Sequence, residues 1–135
     1  MSPAYELANY LELNNVGAVS DEDSPWTIYT ASEPNEPNEC ITLFDQGGDE
    51  YFQPIDMAAP RVLVRVRSLS YLAAYEKHLE IRAVLAAIAQ QDIAQHHYVG
   101  VWARTDITSL GSDNNDRFLL TIQYDVIRHA AGATT

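Results

Sequence analysis

Pro60-Arg61-Val62-Leu63-Val64-Arg65-Val66-Arg67-Ser68, followed at Ser70 by an Ala-, Leu- and Glu-rich stretch, decides the fold. Side chains alternate across a strand, so Val62, Val64 and Val66 share one face, and Arg61, Leu63, Arg65 and Arg67 share the other. The valine face is expected to meet the core, leaving a basic row on the opposite side. Ser70 is placed to cap a long helix over about 71–91. At 100° per residue the helix carries two apolar stripes. Leu72, Tyr75, Leu79 and Ala86 form one, and Ala74, Ile81, Leu85 and Ile88 form the other, nearly opposite. A surface helix needs one stripe. Two imply cover on both sides, by the sheet and by the first helix or another subunit.

The rest of the chain arranges itself around this unit. Pro3 to about Asn15 reads as a helix, with Ala4, Leu7, Ala8 and Leu11 on one stripe and Gly17 as a left-handed cap. Residues 18–39 are acidic and Pro-punctuated, and Trp26-Thr27-Ile28-Tyr29 forms a short strand among them. Pro34 and Pro37 oppose regular structure. Glu39 to Phe44 reads as a buried strand, Asp45-Gln46-Gly47-Gly48-Asp49 as a turn or longer loop, and 49–59 as an extended arm or loop. Downstream, a strand runs from His96 to about Arg104, and Asp106 to Leu110 continues it after a bend. Gly111-Ser112-Asp113-Asn114-Asn115-Asp116 is a turn. A last strand, Arg117 to Arg128, points Phe118, Leu120, Ile122, Tyr124 and Val126 inward. The tail 130–135 is small and polar and is expected to fray. This order predicts an α+β fold in one domain, 1–135, with a single mainly antiparallel β-sheet packed by two α-helices on one face.

Charge limits the partners. Eight Lys and Arg against 19 Asp and Glu give −11, and all twelve acids before residue 61 stand without one base. Nucleic acid is bound by cations that release counterions, so this chain is expected to repel DNA where its acidic half is presented. The plainer reading of the same number is a solubilising surface. No apolar run approaches the ~20 residues needed to span a bilayer. Met1 to Glu6 has neither the basic start nor the apolar stretch of a secretion signal. The single cysteine, Cys40, allows no internal disulfide and fits a reducing compartment.

Sites for chemistry are sparse, and no catalytic residue, metal or cofactor is expected. The paired carboxylates lie in Pro-rich or turn segments, whereas acid–base catalysis needs them held rigidly and desolvated. Asp113-Asn114-Asn115-Asp116 lacks the glycine and the final acidic residue of a calcium loop. His96 and His97 are adjacent, and in a strand they point to opposite faces. His78 reads as a surface helix position between Glu76 and Arg82, and His129 lies near the chain end. Cys40 sits in an apolar strand as a small buried thiol. The row Arg61, Arg65 and Arg67 has two readings. It pairs with carboxylates such as Asp125 across a solvated face, or it meets the acidic half of another copy in a head-to-tail contact that can close a ring.

Three blocks carry a family resemblance: Cys40-Ile41-Thr42-Leu43-Phe44-Asp45-Gln46-Gly47-Gly48, Pro60 to Ser68, and Leu110-Gly111-Ser112-Asp113-Asn114-Asn115-Asp116-Arg117-Phe118. In this order and spacing they resemble the bacteriophage minor capsid and tail terminator proteins of long-tailed phages. The sequence departs from that pattern at Asn115-Asp116, where a glycine is common.

The resemblance implies a virion protein assembled in the host cytoplasm. It forms a homo-oligomeric ring, typically six-fold, at the head-proximal end of the tail tube. Its partners are then further copies of itself, the tail-tube protein and a head-completion or connector protein, with DNA only passing through the lumen and no membrane involved. Arg61, Arg65 and Arg67, with Ile81, Leu85 and Ile88, are the candidates for the subunit contact. Asp45, Asp49 and Glu50 are the candidates for the lumen or its rim. The rival readings are a head-completion or stopper adaptor, an acidic DNA mimic that blocks a nuclease, and an unrecognised enzyme.

Overall fold

The computed structural model describes residues 2–50 and 57–129, so the expected frayed tail 130–135 lies outside the described residues. Helix α1 (Pro3–Leu13) starts where its donors find acceptors: Ser2 Oγ accepts the Tyr5 N–H at 3.3 Å, and Asp45 Oδ1 accepts the Ala4 N–H at 2.9 Å. Its end departs from expectation. Asn15 takes the left-handed conformation with φ 62°, and Gly17 does not. Gly17 is required for space instead, because a Cβ there would stand 2.7 Å from the Trp26 carbonyl oxygen.

Strands β1 (Ala18–Val19), β2 (Thr27–Thr30), β3 (Cys40–Glu50) and β4 (Met57–Ser68) precede helix α2 (Tyr71–Ala86). Strands β5 (Ala89–Ile93), β6 (His96–Ala103), β7 (Thr108–Ser112) and β8 (Phe118–His129) complete the chain. Among the described residues these eight strands form one sheet, in the order β1-β2-β3-β4-β8-β6-β5, with β7 also paired to β8. The β1–β2 and β2–β3 pairs are parallel, and the others are antiparallel. The fold is α+β, and its sheet is mainly antiparallel.

The valine face is the core face. Val62, Val64 and Val66 stand opposite Tyr124, Ile122 and Leu120 of β8. Val64 and Val66 also stand opposite Leu43 and Ile41 of β3. All of these are essentially inaccessible, in one cluster with Ala4, Leu7 and Leu11 of α1 and Ala74, Ile81 and Leu85 of α2. Each Val, Leu or Ile among them contributes roughly 1.5–3 kcal/mol on full burial.

Two boundaries differ from the sequence reading. Helix α2 stops at Ala86 instead of running to about residue 91, because 89–93 pairs with β6 as a hairpin strand. Pairing across the sheet overrides the helix preference of Ala and Gln. Asp45 to Asp49 does not turn the chain. A bulge between Asp45 and Gly48, with Gly47 at φ 70°, shifts the register, and β3 continues to Glu50. Pro60, which has no N–H to donate, lies opposite Gly48 where the ladder resumes. The expected loop 49–59 is therefore strand at both ends, and 51–56 lie outside the described residues.

Candidate assembly surfaces

The bases come first, because the sequence left their role open. All eight Lys and Arg side chains pair with a carboxylate of the same chain. Arg61 and Asp125 are cross-strand partners, closing an ion pair at 3.2 Å, and Arg104 reaches the other Asp125 oxygen at 3.3 Å. Arg65 and Arg67 share Glu33 at 3.6 and 3.5 Å. Arg65 also lies over the Phe44 ring, 5.1 Å from its centroid. Lys77 is buried. It donates to the Val16 carbonyl and to Glu80, both at 3.0 Å, and stands over Trp26.

The acidic Pro-rich segment is held down by these arginines. Arg67, 3% exposed, donates to the Pro37 carbonyl at 2.6 Å. Arg117, also 3% exposed, donates to the Asn35 carbonyl and to Asn35 Oδ1, and pairs with Asp113 at 2.9 Å. Glu39 accepts from Ser68 Oγ at 2.6 Å and from the Leu69 N–H at 2.9 Å. A segment with no base of its own is thus anchored by arginines of β4 and by Arg117 just before β8, with Glu33 as the carboxylate that the β4 arginines pair. Arg67 is consequently not on a surface, which corrects its place among the expected contact residues. The turn before β8 puts Asp116 at φ 60°, at the place where the resembling family commonly has glycine. Asp enters the left-handed region more readily than most residues.

A second buried cluster joins the two ends of the chain. Glu6, fully buried in α1, accepts from Tyr98 Oη at 2.7 Å and from Arg128 Nη1 at 2.6 Å, and its other oxygen lies 2.7 Å from His96 Nδ1. Burial alone would raise its pKa. Hydrogen bonds from His96 and Tyr98, with the charges of His96 and Arg128, outweigh burial and hold it below the usual carboxylate value. No spacing rule in the sequence connects residues 6, 96, 98 and 128, and only the fold brings them together.

Helix α2 shows which stripe faces out. Ile81 and Leu85 are fully buried and Ile88 is 2% exposed, all within the subunit's own core. These three were expected at a subunit contact, and the correction is that the sheet already covers them. The opposite stripe is open: Leu72 is 64% exposed, Leu79 39% and Tyr75 36%, and Tyr71 stacks on Tyr75. The acidic candidates separate as well. Asp45 serves the first turn of α1, where a carboxylate suits the helix dipole. Backbone register sets Asp49 and Glu50 opposite Ala59 and Ala58 at the far end of the β3–β4 hairpin.

Cys40, His78, His96 and His97 each have a defined setting. Burial pushes the Cys40 thiol up to about 11, which keeps it protonated. His78 is not a surface residue, as the sequence suggested. It is fully buried, lies 2.7 Å from the Leu120 carbonyl through Nε2, and is pushed down to about 4 by burial. His96 and His97 do diverge: one meets Glu6, and the other meets Asp92 at 2.7 Å. Among the described residues no three His, Cys, Asp or Glu side chains converge as a metal site, and no helix is long and apolar enough to cross a membrane.

With this geometry in place, three comparisons with known proteins bear on identity. No curated protein matches the chain. Among solved structures, a chain from the virion of a native gene transfer agent particle has a similar fold, with a TM-score of 0.62 at 13% identity, covering 76% of this chain and 78% of that one. Residues 10–129 match the family described as bacteriophage tail terminator protein. The chain therefore belongs to the bacteriophage tail terminator family, as a structural protein of the phage virion.

Proposed function

We propose that this protein closes into a six-fold ring at the head-proximal end of a phage tail tube, stops tube polymerisation there, and joins the tail to head-completion proteins. The observation that carries this reading is the match to tail terminators over residues 10–129. In this reading the subunit is a single domain, and both helices back the valine face of the sheet, which is consistent with the core they share with it. A ring that caps a tube needs one face for the tube and none that propagates growth further. A lumen that passes DNA must not hold it, and a net charge of −11 with every base already paired suits that role. Asp49 and Glu50, with Asp45 behind them on β3, are assigned to the lumen or its rim.

The test is electron microscopy of tail-tube protein polymerised with and without this protein. Added protein is expected to shorten the tubes and leave an annulus at one end. Unchanged tube lengths with bare ends would overturn the reading. Recovery of the protein on tail-less heads, and not on head-less tails, would assign it to the head-completion side of the joint instead.

A further inference from the structure

We infer that the contact between neighbouring copies is head to tail, with the outer stripe of α2 from one copy seated on the arginine-bearing face of the sheet of the next. The inference rests on the ring reading above and specifies its interface.

The first surface is the open side of α2. Leu72, Tyr75, Leu79, Ala83 and Ala86 fall within an arc of about 80° at 100° per residue. None of the five is buried, and on the opposite side Ala74, Ile81 and Leu85 are fully covered. A helix apolar on both sides is expected to be buried on both sides. One edge of the open stripe carries the exposed carboxylates Glu76 and Glu80.

The second surface is the sheet face opposite the valines. It has an apolar floor of Phe44, Leu63 and Trp102. Phe44 and Leu63 are cross-strand partners, and Trp102 is 50% exposed. Its open charged groups are unequal in sign: the Arg61, Arg65 and Arg104 side chains are 31%, 28% and 45% exposed, against Asp125 at 37% and Glu33 at 12%, while the buried Arg67 takes no part. Arg104, 45% exposed, spends one nitrogen on Asp125 and keeps further donors toward solvent. This face therefore concentrates guanidinium groups in a chain that is otherwise acidic, beside the apolar floor that the α2 stripe lacks as a partner. Arg is the cation favoured in such contacts.

Charge and position select the occupant. An antiparallel pairing of two α2 stripes would set Glu76 and Glu80 beside the same carboxylates of the other copy. Seating the stripe on the arginine face instead sets them beside guanidiniums. The two surfaces lie on opposite sides of the subunit, because the stripe points away from the valine core and the arginines alternate away from it. A contact between opposite sides is heterologous, and with a suitable rotation it closes a ring.

Two surface variants test this. Leu72→Ser with Leu79→Ser spoils the helix surface, and Trp102→Ser with Arg104→Glu spoils the sheet surface. Each is expected to sediment as a monomer at concentrations where the wild-type protein forms rings. Mixed, they retain one good surface each, and are expected to form a one-to-one pair and nothing larger. A mixture that stays monomeric, or either variant closing rings alone, overturns the inference. Where the wild-type protein forms rings only on tails, hydroxyl-radical footprinting of tail-bound protein is expected to show Tyr75 and Trp102 both protected several-fold against the free subunit, and either one remaining open overturns it. A protein that forms the mixed pair but is absent from tails would remove the terminator role and leave the contact standing.

Discussion

The Glu6 carboxylate in the first turn of α1 accepts a 2.6 Å hydrogen bond from Arg128 near the end of the last strand, with no exposure of the carboxylate to solvent. Opposite ends of the chain are thus joined through a buried charge. Removing one member of such a pair costs about 3–5 kcal/mol, because the other stays desolvated. Glu6→Ala is therefore expected to lower the urea midpoint far more than the exposed Glu12→Ala. Equal midpoints for the two variants would show that the network does not hold the helix to the sheet.

Arg61 and Arg67 occupy the same face of β4, yet they should behave differently. Arg61 pairs with Asp125 with about a third of each side chain exposed, a setting in which ion pairs contribute about 0–1 kcal/mol. Arg67 is buried against the Pro37 carbonyl and Glu33. Arg67→Ala is expected to cost about 2–4 kcal/mol, and to speed proteolysis within 31–39. Arg61→Ala should do neither. Limited proteolysis of the two variants side by side decides the matter.

His78 makes stability depend on pH. Its imidazole is held neutral and pushed down to about 4, while in the unfolded chain it titrates near 6.5. The unfolded state therefore binds a proton first as pH falls. Its contribution is full above pH ~6.5 and is lost toward pH ~4 at a limiting slope of about 1.4 kcal/mol per pH unit. Urea unfolding at two pH values, one near neutral and one about a unit below 6.5, should show this loss in the wild-type protein. His78→Gln, which keeps an N–H for the Leu120 carbonyl, should flatten it. Parallel pH profiles for the two proteins would contradict the assignment.

DNA should not bind. The net charge is −11 and every Lys and Arg already lies within 3.6 Å of an internal carboxylate, so the chain as a whole repels a phosphate backbone. Fluorescence anisotropy with labelled duplex at about 50 mM salt, where such binding is strongest, is expected to show no change. Micromolar affinity would contradict both this point and the proposed lumen.

The sequence by itself determined the α+β class, the valine core face, the Ser70 cap and the long last strand. Each follows from a period of 2 or 3.6 residues or from a local cap, and these are properties of contiguous residues. It also showed that α2 has two apolar stripes. It could not say which stripe the sheet covers, because periodicity gives relative angles around a helix and not what lies beside it. Only the tertiary structure decided that Ile81 and Leu85 face inward and Leu72 and Leu79 outward. It likewise decided that Arg67 and Arg117 clamp the acidic segment and that Glu6 meets Arg128. Those pairings join residues 30 to 122 positions apart, and they exist because burying a charge requires an opposite charge or a hydrogen-bonding group brought there by the fold.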